Sequence, residues 1–226
     1  MDSEIESQKD WPPWESGRAD QLSMFIETTR DILLSPSISF TRMHIDKGYV
    51  KPFIYGVFGT LSGALLNFCY QYLFGTISGV PTPEMARITT DLGGVWVVFA
   101  ILWLLFSVTA GIFIGAAIDH AMLFLVGAAK KPYEATFRVF AYAGGATGIV
   151  SVVPVCGSII SFFWNFVLRI IGYSKVHEIS GFRASIAVLL PILLCCVCMA
   201  LVFSSLLFFG VHSEPMRQFF QKGLRV

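Results

Sequence analysis

Charged residues are scarce in this sequence. Only 14% of its 226 residues are Asp, Glu, Lys or Arg, whereas 55% are hydrophobic; soluble domains carry roughly a quarter charged residues. Residues 52–83, 92–118, 139–168 and 184–213 carry no formal charge at all. About 20 apolar residues are enough for a helix to cross the hydrocarbon layer of a bilayer. This pattern excludes an ordinary soluble domain and predicts an all-α, polytopic transmembrane helix bundle.

Catalytic and metal-binding motifs are also lacking. The sequence contains no nucleotide-binding loop, no zincin motif, no Ser/His/Asp set and no paired carboxylates. Its five cysteines form no Cys-x-x-Cys pair and have no His at ligand spacing, so they are interpreted as packing residues. The net charge of +1 gives no basic face for nucleic acid. We therefore predict no enzyme, no cofactor, no metal site and no nucleic-acid partner.

The N-terminal region lacks a secretory signal, because it opens with acidic residues rather than with a basic start and an apolar stretch. Residues 1–19 are predicted to be a flexible polar leader. Residues 20–50 follow as amphipathic juxtamembrane helices, with Asp20 as a cap and Pro36 opening the second helix. A short amphipathic helix before a span is typical of the membrane interface. Docking on the protein's own loops is the alternative interpretation.

A five-span membrane domain is predicted over residues 51–210, followed by a short tail over 211–226. Residues 139–168 are too many for one ordinary span, and Pro154 and Gly157 at their middle indicate a turn. Basic residues flank both ends of this stretch, which favours a hairpin of two short helices with both ends in the cytoplasm. Pro191 should kink the last span. The predicted spans are 53–74, 94–118, 138–153, 155–171 and 184–210.

The charge distribution predicts a cytoplasmic N-terminus and an external C-terminus. In the first outer loop only Arg87 is basic, whereas ten basic residues fall on the inner side. These ten are Arg30, Arg42, Lys47, Lys51, Lys130, Lys131, Arg138, Arg169, Lys175 and Arg183. The tail carries Arg217, Lys222 and Arg225 as exceptions to the rule.

The order of several short motifs carries a family resemblance from about Trp14 to Gly210. These motifs are Pro13-Trp14-Glu15, Ser35-Pro36, Ala117-Ile118-Asp119-His120, Thr136-Phe137-Arg138, Tyr142, Pro154, Gly157, Trp164, Ile171-Gly172, His177, Ile179-Ser180 and Ala187-Val188-Leu189-Leu190-Pro191. As an ordered set they resemble the Yip domain family, five-span membrane proteins named for interaction with Ypt/Rab GTPases in eukaryotes.

The short leader is similar to that of bacterial members of the family. The resemblance therefore implies a protein of the bacterial cytoplasmic (inner) membrane. No Rab GTPase is expected as a partner there, because a bacterium has no prenylated Rab.

Four polar residues are predicted to form one cluster on the cytoplasmic side, the best candidate for a functional site: Asp119, His120, Arg138 and His177. Ionisable groups at membrane depth are costly and mark functional sites by default. The structural alternative is that Asp119 or Glu178 pairs with an arginine and only fixes the helix ends. A metal site from Asp119, His120 and His177 is conceivable from the ligand types but has no supporting spacing.

Small residues at four-residue spacing predict close helix packing, with Gly111, Gly115, Gly144 and Gly148 as the packing residues. Contacts within one protomer and contacts in a homo-oligomer are both open. Our leading functional hypothesis is a membrane scaffold or adaptor that binds a membrane-protein partner or shapes the bilayer. The alternative is a small-solute or lipid transporter or channel with a polar site at the cytoplasmic ends of the spans; inverted repeats or paired broken helices would favour it.

Overall fold

The computed structural model describes residues 12–17, 20–45, 47–75, 83–151, 153 and 156–212. In these ranges the chain forms seven α-helices, one 3-10 turn and no strand. The helices are α1 (Gln21–Leu34), α2 (Pro36–Thr41), α3 (Val50–Gly75), α4 (Pro83–Leu125), α5 (Tyr133–Val150), α6 (Cys156–Val176) and α7 (Gly181–His212), and the 3-10 turn covers Pro13–Glu15. The all-α prediction is confirmed.

Three helices are long and apolar enough to cross a membrane among the residues described. They are Ile101–Leu125 within α4, Cys156–Val176, which is α6, and Gly181–Leu206 within α7. Val50–Leu66 within α3 is a shorter apolar segment. Long apolar side chains along α4 and α7, such as Phe106 and Leu201, are exposed, which suits contact with lipid rather than with water. The chain therefore has the helices of a membrane protein, while the count of five spans stays a prediction.

The helices of the structure differ in their bounds from the predicted spans. Helix α4 begins at Pro83 and ends at Leu125, so Asp119 lies inside its apolar segment rather than after it. The predicted hairpin corresponds to α5 and α6, but Gly157 lies in the first turn of α6 and not in the connection. A Cβ atom on Gly157 would meet the carbonyl oxygen of Val150 at 2.6 Å, so a glycine lets the two helix ends approach. Pro154 lies outside the described residues.

Helices α1 and α2 begin where the sequence indicates, after Asp20 and at Pro36, while the amphipathic, interfacial character predicted for residues 20–50 stays a prediction. The Asp20 carboxylate accepts hydrogen bonds from the amides of Leu22 and Ser23 and so caps α1. This lowers the pKa of Asp20, with the Ser23 side chain as the largest cause. Pro36 opens α2 at its first position, although the Ser35 side chain makes no capping bond there.

One face of these two helices packs on the bundle. Helix α1 lies against α5, and α2 lies against α6. The buried side chains of α1 are Met24, Phe25, Thr28, Thr29 and Ile32, and α2 buries Ser39 and Phe40. The Thr29 and Tyr55 hydroxyls are 2.7 Å apart, which ties α1 to α3.

Helix α5 is at the centre of the packing, since it contacts α1, α3, α4 and α6. Its small residues allow the closest approach. Gly59 of α3 meets the backbone at Gly145, and Gly148 meets the backbone at Gly59, so that any Cβ atom there would collide with the opposite main chain. These contacts place α3 and α5 backbone to backbone.

The chain divides into two compact units, Met1–Val188 and Leu189–Val226. The first contains every contact discussed below. The second holds the remainder of α7, whose described side chains are mostly exposed and apolar. Pro191 lies inside α7, and the residues on both sides of it are helical.

The N-terminal leader differs from its prediction where it is described. Residues 12–17 do not trail from the bundle but form a turn whose Pro13 and Glu15 are buried. The Trp14 amide donates to the Thr28 hydroxyl at 2.9 Å, and its indole N–H donates to the Lys51 carbonyl at 2.9 Å. This turn packs on the bundle because the Glu15 carboxylate has polar partners on the helices and the Trp14 ring has apolar ones. The predicted leader residues 1–11, 18 and 19 lie outside the described residues.

Candidate functional site

Asp119 is held by two side chains of one neighbouring helix. It projects from α4 and is 2% exposed, while Arg169 and Tyr173 project from α6. The Arg169 Nε donates to Asp119 Oδ2 at 2.8 Å, and its Nη2 and the Tyr173 hydroxyl donate to the same carboxylate. The guanidinium carbon also lies 4.9 Å from the centre of the Phe140 ring. The expectation that Asp119 pairs with an arginine is confirmed.

Arg138 is engaged in a second arrangement of the same kind. It is 0% exposed, and its Nη2 donates to the Glu15 carboxylate of the leader turn. The Tyr142 hydroxyl donates to the same Glu15 oxygen at 2.5 Å. On its other side, Arg138 Nη1 donates to the Gly48 carbonyl at 2.9 Å and lies 3.6 Å from Glu134 Oε1. Arg138 Nε has no hydrogen-bond partner among the described residues.

The two arrangements share one sequence pattern. Arg138 and Tyr142 are four residues apart on α5, and Arg169 and Tyr173 are four residues apart on α6. Side chains at this spacing are neighbours on one helix face. Each pair therefore presents a guanidinium and a phenol hydroxyl side by side, and both donate to one carboxylate from another segment. We call each pair an Arg-Tyr clamp.

His120 and His177 are brought together by a shared hydroxyl. Thr136 Oγ1 lies 2.8 Å from His120 Nδ1 and 3.0 Å from His177 Nε2. The Lys131 amide donates to His177 Nδ1 at 3.2 Å, which makes that nitrogen an acceptor and puts the ring proton on Nε2. His177 then donates to Thr136, whose hydroxyl donates onward to His120. The result is a directed hydrogen-bond chain from the Lys131 amide through the His177 ring and the Thr136 hydroxyl to His120.

The surroundings of His177 disfavour its charged form. Burial lowers the pKa of His177 to about 4, and the nearby His120 and Lys131 act in the same direction. The imidazole is therefore neutral at physiological pH. A neutral ring is what the hydrogen bond from the Lys131 amide requires.

The four residues predicted as one cluster are distributed over three sets of contacts. Asp119 belongs to the α6 clamp and Arg138 to the α5 clamp. His120 and His177 share the Thr136 hydroxyl, an arrangement that we call the threonine bridge. The first and third sets touch, because the rings of Tyr173 and His177 pack edge to face with centroids 6.3 Å apart. The arrangement pairs Asp119 and Arg138 with different partners, which differs from a single shared cluster. Whether these residues form a functional site stays a prediction.

The sequence does not predict several of the polar partners in this region. Glu15, Thr136 and Tyr142 stand out only as parts of the family motifs, with Glu15 inside the predicted flexible leader, and Tyr173 does not stand out at all. The repeated Arg-x-x-x-Tyr spacing on two helices was the signal available in the sequence. Glu178 pairs with Lys131 at 2.9 Å at the surface rather than with an arginine, and this contact lowers the pKa of Glu178.

A cavity of about 660 Å³ opens between α3, α4, α5 and α6. Gly111 and Gly144, predicted as packing residues, line it and have no close neighbour at the Cβ position, whereas Gly115 meets the Phe140 ring and Gly148 meets α3. Polar groups in the lining include Asn165, whose amide donates to the Thr147 hydroxyl at 3.0 Å, and Arg169 of the α6 clamp.

Candidate metal ligands were also compared in position. In the described part of the chain, no group of three or more His, Cys, Asp or Glu side chains converges. Cys156, Cys195, Cys196 and Cys198 are free thiols.

Comparison with known proteins gives one match. The family model described as the Yip1 domain matches residues 30–203, which includes all seven helices in whole or in part. No curated protein and no solved structure matches the chain.

Proposed function

This chain belongs to the Yip1 domain family, and we propose that it is a non-catalytic scaffold or adaptor of the Yip type, which acts by binding a partner protein or by shaping the bilayer. The observation that carries the proposal is the outward face of α1 and α2. This face carries exposed apolar side chains although both helices already bury another face on the bundle. The exposed residues are Leu22, Ile26, Leu34 and Ile38.

A lipid interface is the environment that suits this outward face. Apolar side chains exposed beside membrane-crossing helices gain by entering the boundary between headgroups and acyl chains. Arg30 and Arg42 nearby are suited to anionic headgroups. We therefore propose that α1 and α2 lie in the plane of the interface while they stay docked on α5 and α6. A wedge of this kind inserted on one side would bend a bilayer.

The short hairpin adds to the proposal. Helix α5 has 18 residues and α6 has 21 residues, or roughly 27 Å and 32 Å at 1.5 Å per residue. Helices of this length fit a hairpin that thins the bilayer locally or ends short of the far surface. We propose five spans in the bacterial inner membrane, with the N-terminus cytoplasmic and the C-terminus outside. The partner would be a membrane protein or a second copy, and no Rab GTPase.

Fluorescence in vesicles tests the interfacial position. In a variant without the five native cysteines, single cysteines placed at position 26 and at position 178 are each labelled with an environment-sensitive dye after reconstitution. Position 26 should give blue-shifted emission that lipid-soluble quenchers reduce, whereas position 178, where the Glu178 side chain is 70% exposed in the α6–α7 connection, is the control and should resemble water. Water-like emission at both positions would rule out insertion.

Reporter fusions test the proposed topology. A reporter that is active only outside the cytoplasm should be silent after Gly48, Tyr133 or Ser180 and active after Pro83 and Val226. Silence at both Ser180 and Val226 would show that the last helix does not cross.

The cavity between α3 and α6 favours a second candidate, a transporter of small solutes or lipids. Its lining combines Gly and Phe with hydroxyls, Asn165 and Arg169. Flux of solute or movement of fluorescent lipid in proteoliposomes, abolished by Asn165→Leu, would support it. Equal rates in protein-free vesicles, together with capture of a defined partner by cross-linking in native membranes, would support the scaffold.

A further inference from the structure

The leader turn occupies the α5 clamp as a ligand occupies a site. Glu15 reaches into the bundle with its carboxylate on Arg138 and Tyr142. Trp14 beside it packs edge to face against Phe25 and Tyr55, with ring centroids 6.0 Å and 5.9 Å away. Lys51 Nζ donates to the Glu15 carbonyl at 2.8 Å. The Glu15 carboxylate, the Trp14 indole and the Glu15 carbonyl, together with the Trp14 amide on Thr28, hold residues 12–17 on the bundle.

The clamp is organised independently of the leader. The Gly48 carbonyl holds Arg138 Nη1, and Glu134 lies on the same side of the guanidinium. Tyr142 is buried and its ring lies 4.9 Å from that of Tyr55. With the leader removed, the guanidinium edge and the phenol would keep their positions on α5. A buried Arg138 Nε without a partner gives the site a further unused donor among the described residues.

The α6 clamp contains the same groups, an arginine, a tyrosine and a carboxylate, in a permanent contact. Its carboxylate, Asp119, comes from a helix that packs along the bundle and cannot leave without unfolding it. The α5 clamp receives its carboxylate from a three-residue turn, followed by Gly17 at φ +76°. A buried ion pair adds little net stability over apolar packing in either clamp. What distinguishes the α5 clamp is that a short turn carries its carboxylate, and a short turn can be exchanged for another segment that presents a carboxylate.

We propose that the Arg138–Tyr142 clamp is a docking site for an acidic, aromatic-containing segment of a partner protein, and that the chain's own leader fills this site in cis. The inference deepens the proposed adaptor function and rests on it for the identity of the partner. A partner segment that presents a carboxylate next to a Trp or Tyr ring would displace residues 12–17 and take their contacts. The leader would then be released as the partner binds.

Binding of the leader peptide in trans tests the proposal on the full chain. The probe is residues 12–17 as a fluorescent peptide with blocked ends, added to purified protein in lipid nanodiscs. Glu15→Gln weakens the cis leader and leaves the clamp intact, so this variant should bind the peptide at least about tenfold more tightly than the wild-type chain, whose tethered leader competes at high effective concentration. A peptide carrying Gln for Glu should bind roughly tenfold or more weakly, since a charge-assisted hydrogen bond is lost.

Controls make each outcome decisive. Glu178→Gln removes an exposed carboxylate and should bind like the wild-type chain. Gly17→Pro is the second variant, because proline cannot adopt φ +76° and displaces the leader without removing either charge. Absence of peptide binding by both folded variants would overturn the proposal, as would equal binding of the Glu and Gln peptides. So would failure of both variants to fold, which would make the leader a permanent part of the core.

Two further results separate neighbouring ideas. Displacement of the peptide by phosphatidylglycerol but not by phosphatidylcholine nanodiscs would identify a lipid headgroup as the occupant and overturn a protein segment. Failure of the scaffold proposal, seen as solute flux without any cross-linked partner, leaves the peptide measurement unaffected, so the two failures are distinguishable.

Discussion

The two Arg-Tyr clamps use the same groups and differ in where their carboxylate comes from. Arg169 and Tyr173 hold Asp119, which is part of a helix long and apolar enough to cross a membrane. Arg138 and Tyr142 hold Glu15, which belongs to a single turn of the leader. Both acidic side chains are buried, Asp119 at 2% and Glu15 at 8% exposure. The difference teaches that burial of an ion pair does not by itself distinguish a fixed joint from an exchangeable contact; the attachment of the partner does.

The largest effect is expected at the fixed clamp. Arg169→Leu leaves the Asp119 carboxylate buried without a counter-ion, and breaking a buried pair in this way costs about 3–5 kcal/mol. The variant should yield little folded protein by size-exclusion chromatography in mild detergent. The double variant Asp119→Leu with Arg169→Leu replaces the pair by apolar side chains and should recover most of the loss. Equal damage in the single and the double variant would contradict this account.

A matched pair of substitutions compares the two clamps directly. Asp119→Asn and Glu15→Gln each remove one charge and keep the shape of the side chain. Loss of hydrogen bonds to a charged group costs about 1.5–3 kcal/mol, and we expect Asp119→Asn to show this full range in the free energy of unfolding. Glu15→Gln should cost less, about 1 kcal/mol, because the leader turn can withdraw and let water reach Arg138.

Equal losses in thermal unfolding would remove the distinction between the clamps. Nearly intact folding of Asp119→Asn, together with loss of a cellular phenotype, would instead support a functional role for Asp119.

At neutral pH a smaller effect is expected at the threonine bridge, which lies beside the α6 clamp and contains no charge pair. The pKa of His177 in the folded protein, about 4, is below the ordinary value of 6.5. The unfolded chain therefore binds a proton that the folded chain does not between these two values, and stability present above pH 6.5 should decline as the pH falls toward 4. His177→Asn should flatten this part of the profile of unfolding midpoint against pH. An unchanged profile would show that another group controls it.

The smallest effect is expected at the exposed pair of Lys131 and Glu178. The Glu178 side chain is 70% exposed and fully accessible to salt and water. Exposed pairs of this kind contribute little to stability, so Glu178→Gln should leave the unfolding midpoint unchanged in both low and high salt. A clear decrease would mean that the α6–α7 connection depends on this pair, and that charge matters at the surface as much as in the clamps.

Sequence reasoning identified the helices well because their signals are local. Helices α3, α4 and α7 each include a run without formal charge or part of one, and the run 139–168 divides between α5 and α6. The cap at Asp20 and the helix start at Pro36 follow from adjacent residues. Small residues indicated close approach between helices. Gly115 and Gly148 lie in close contact with a neighbouring helix, whereas Gly111 and Gly144 line a cavity. The spacing of the glycines is visible along the chain, but the helix that faces each of them is not.

By itself, then, the sequence determined that the chain is a helical membrane protein, because the length and polarity of each segment set its preference for lipid. Only the tertiary structure decided which charges meet. Asp119 and Arg169 are 50 residues apart, and Glu15 and Tyr142 are 127 residues apart. Pairing over such distances depends on which helix faces are turned toward each other. That choice is made by the packing of α5 against α1, α3, α4 and α6, and no local pattern records it.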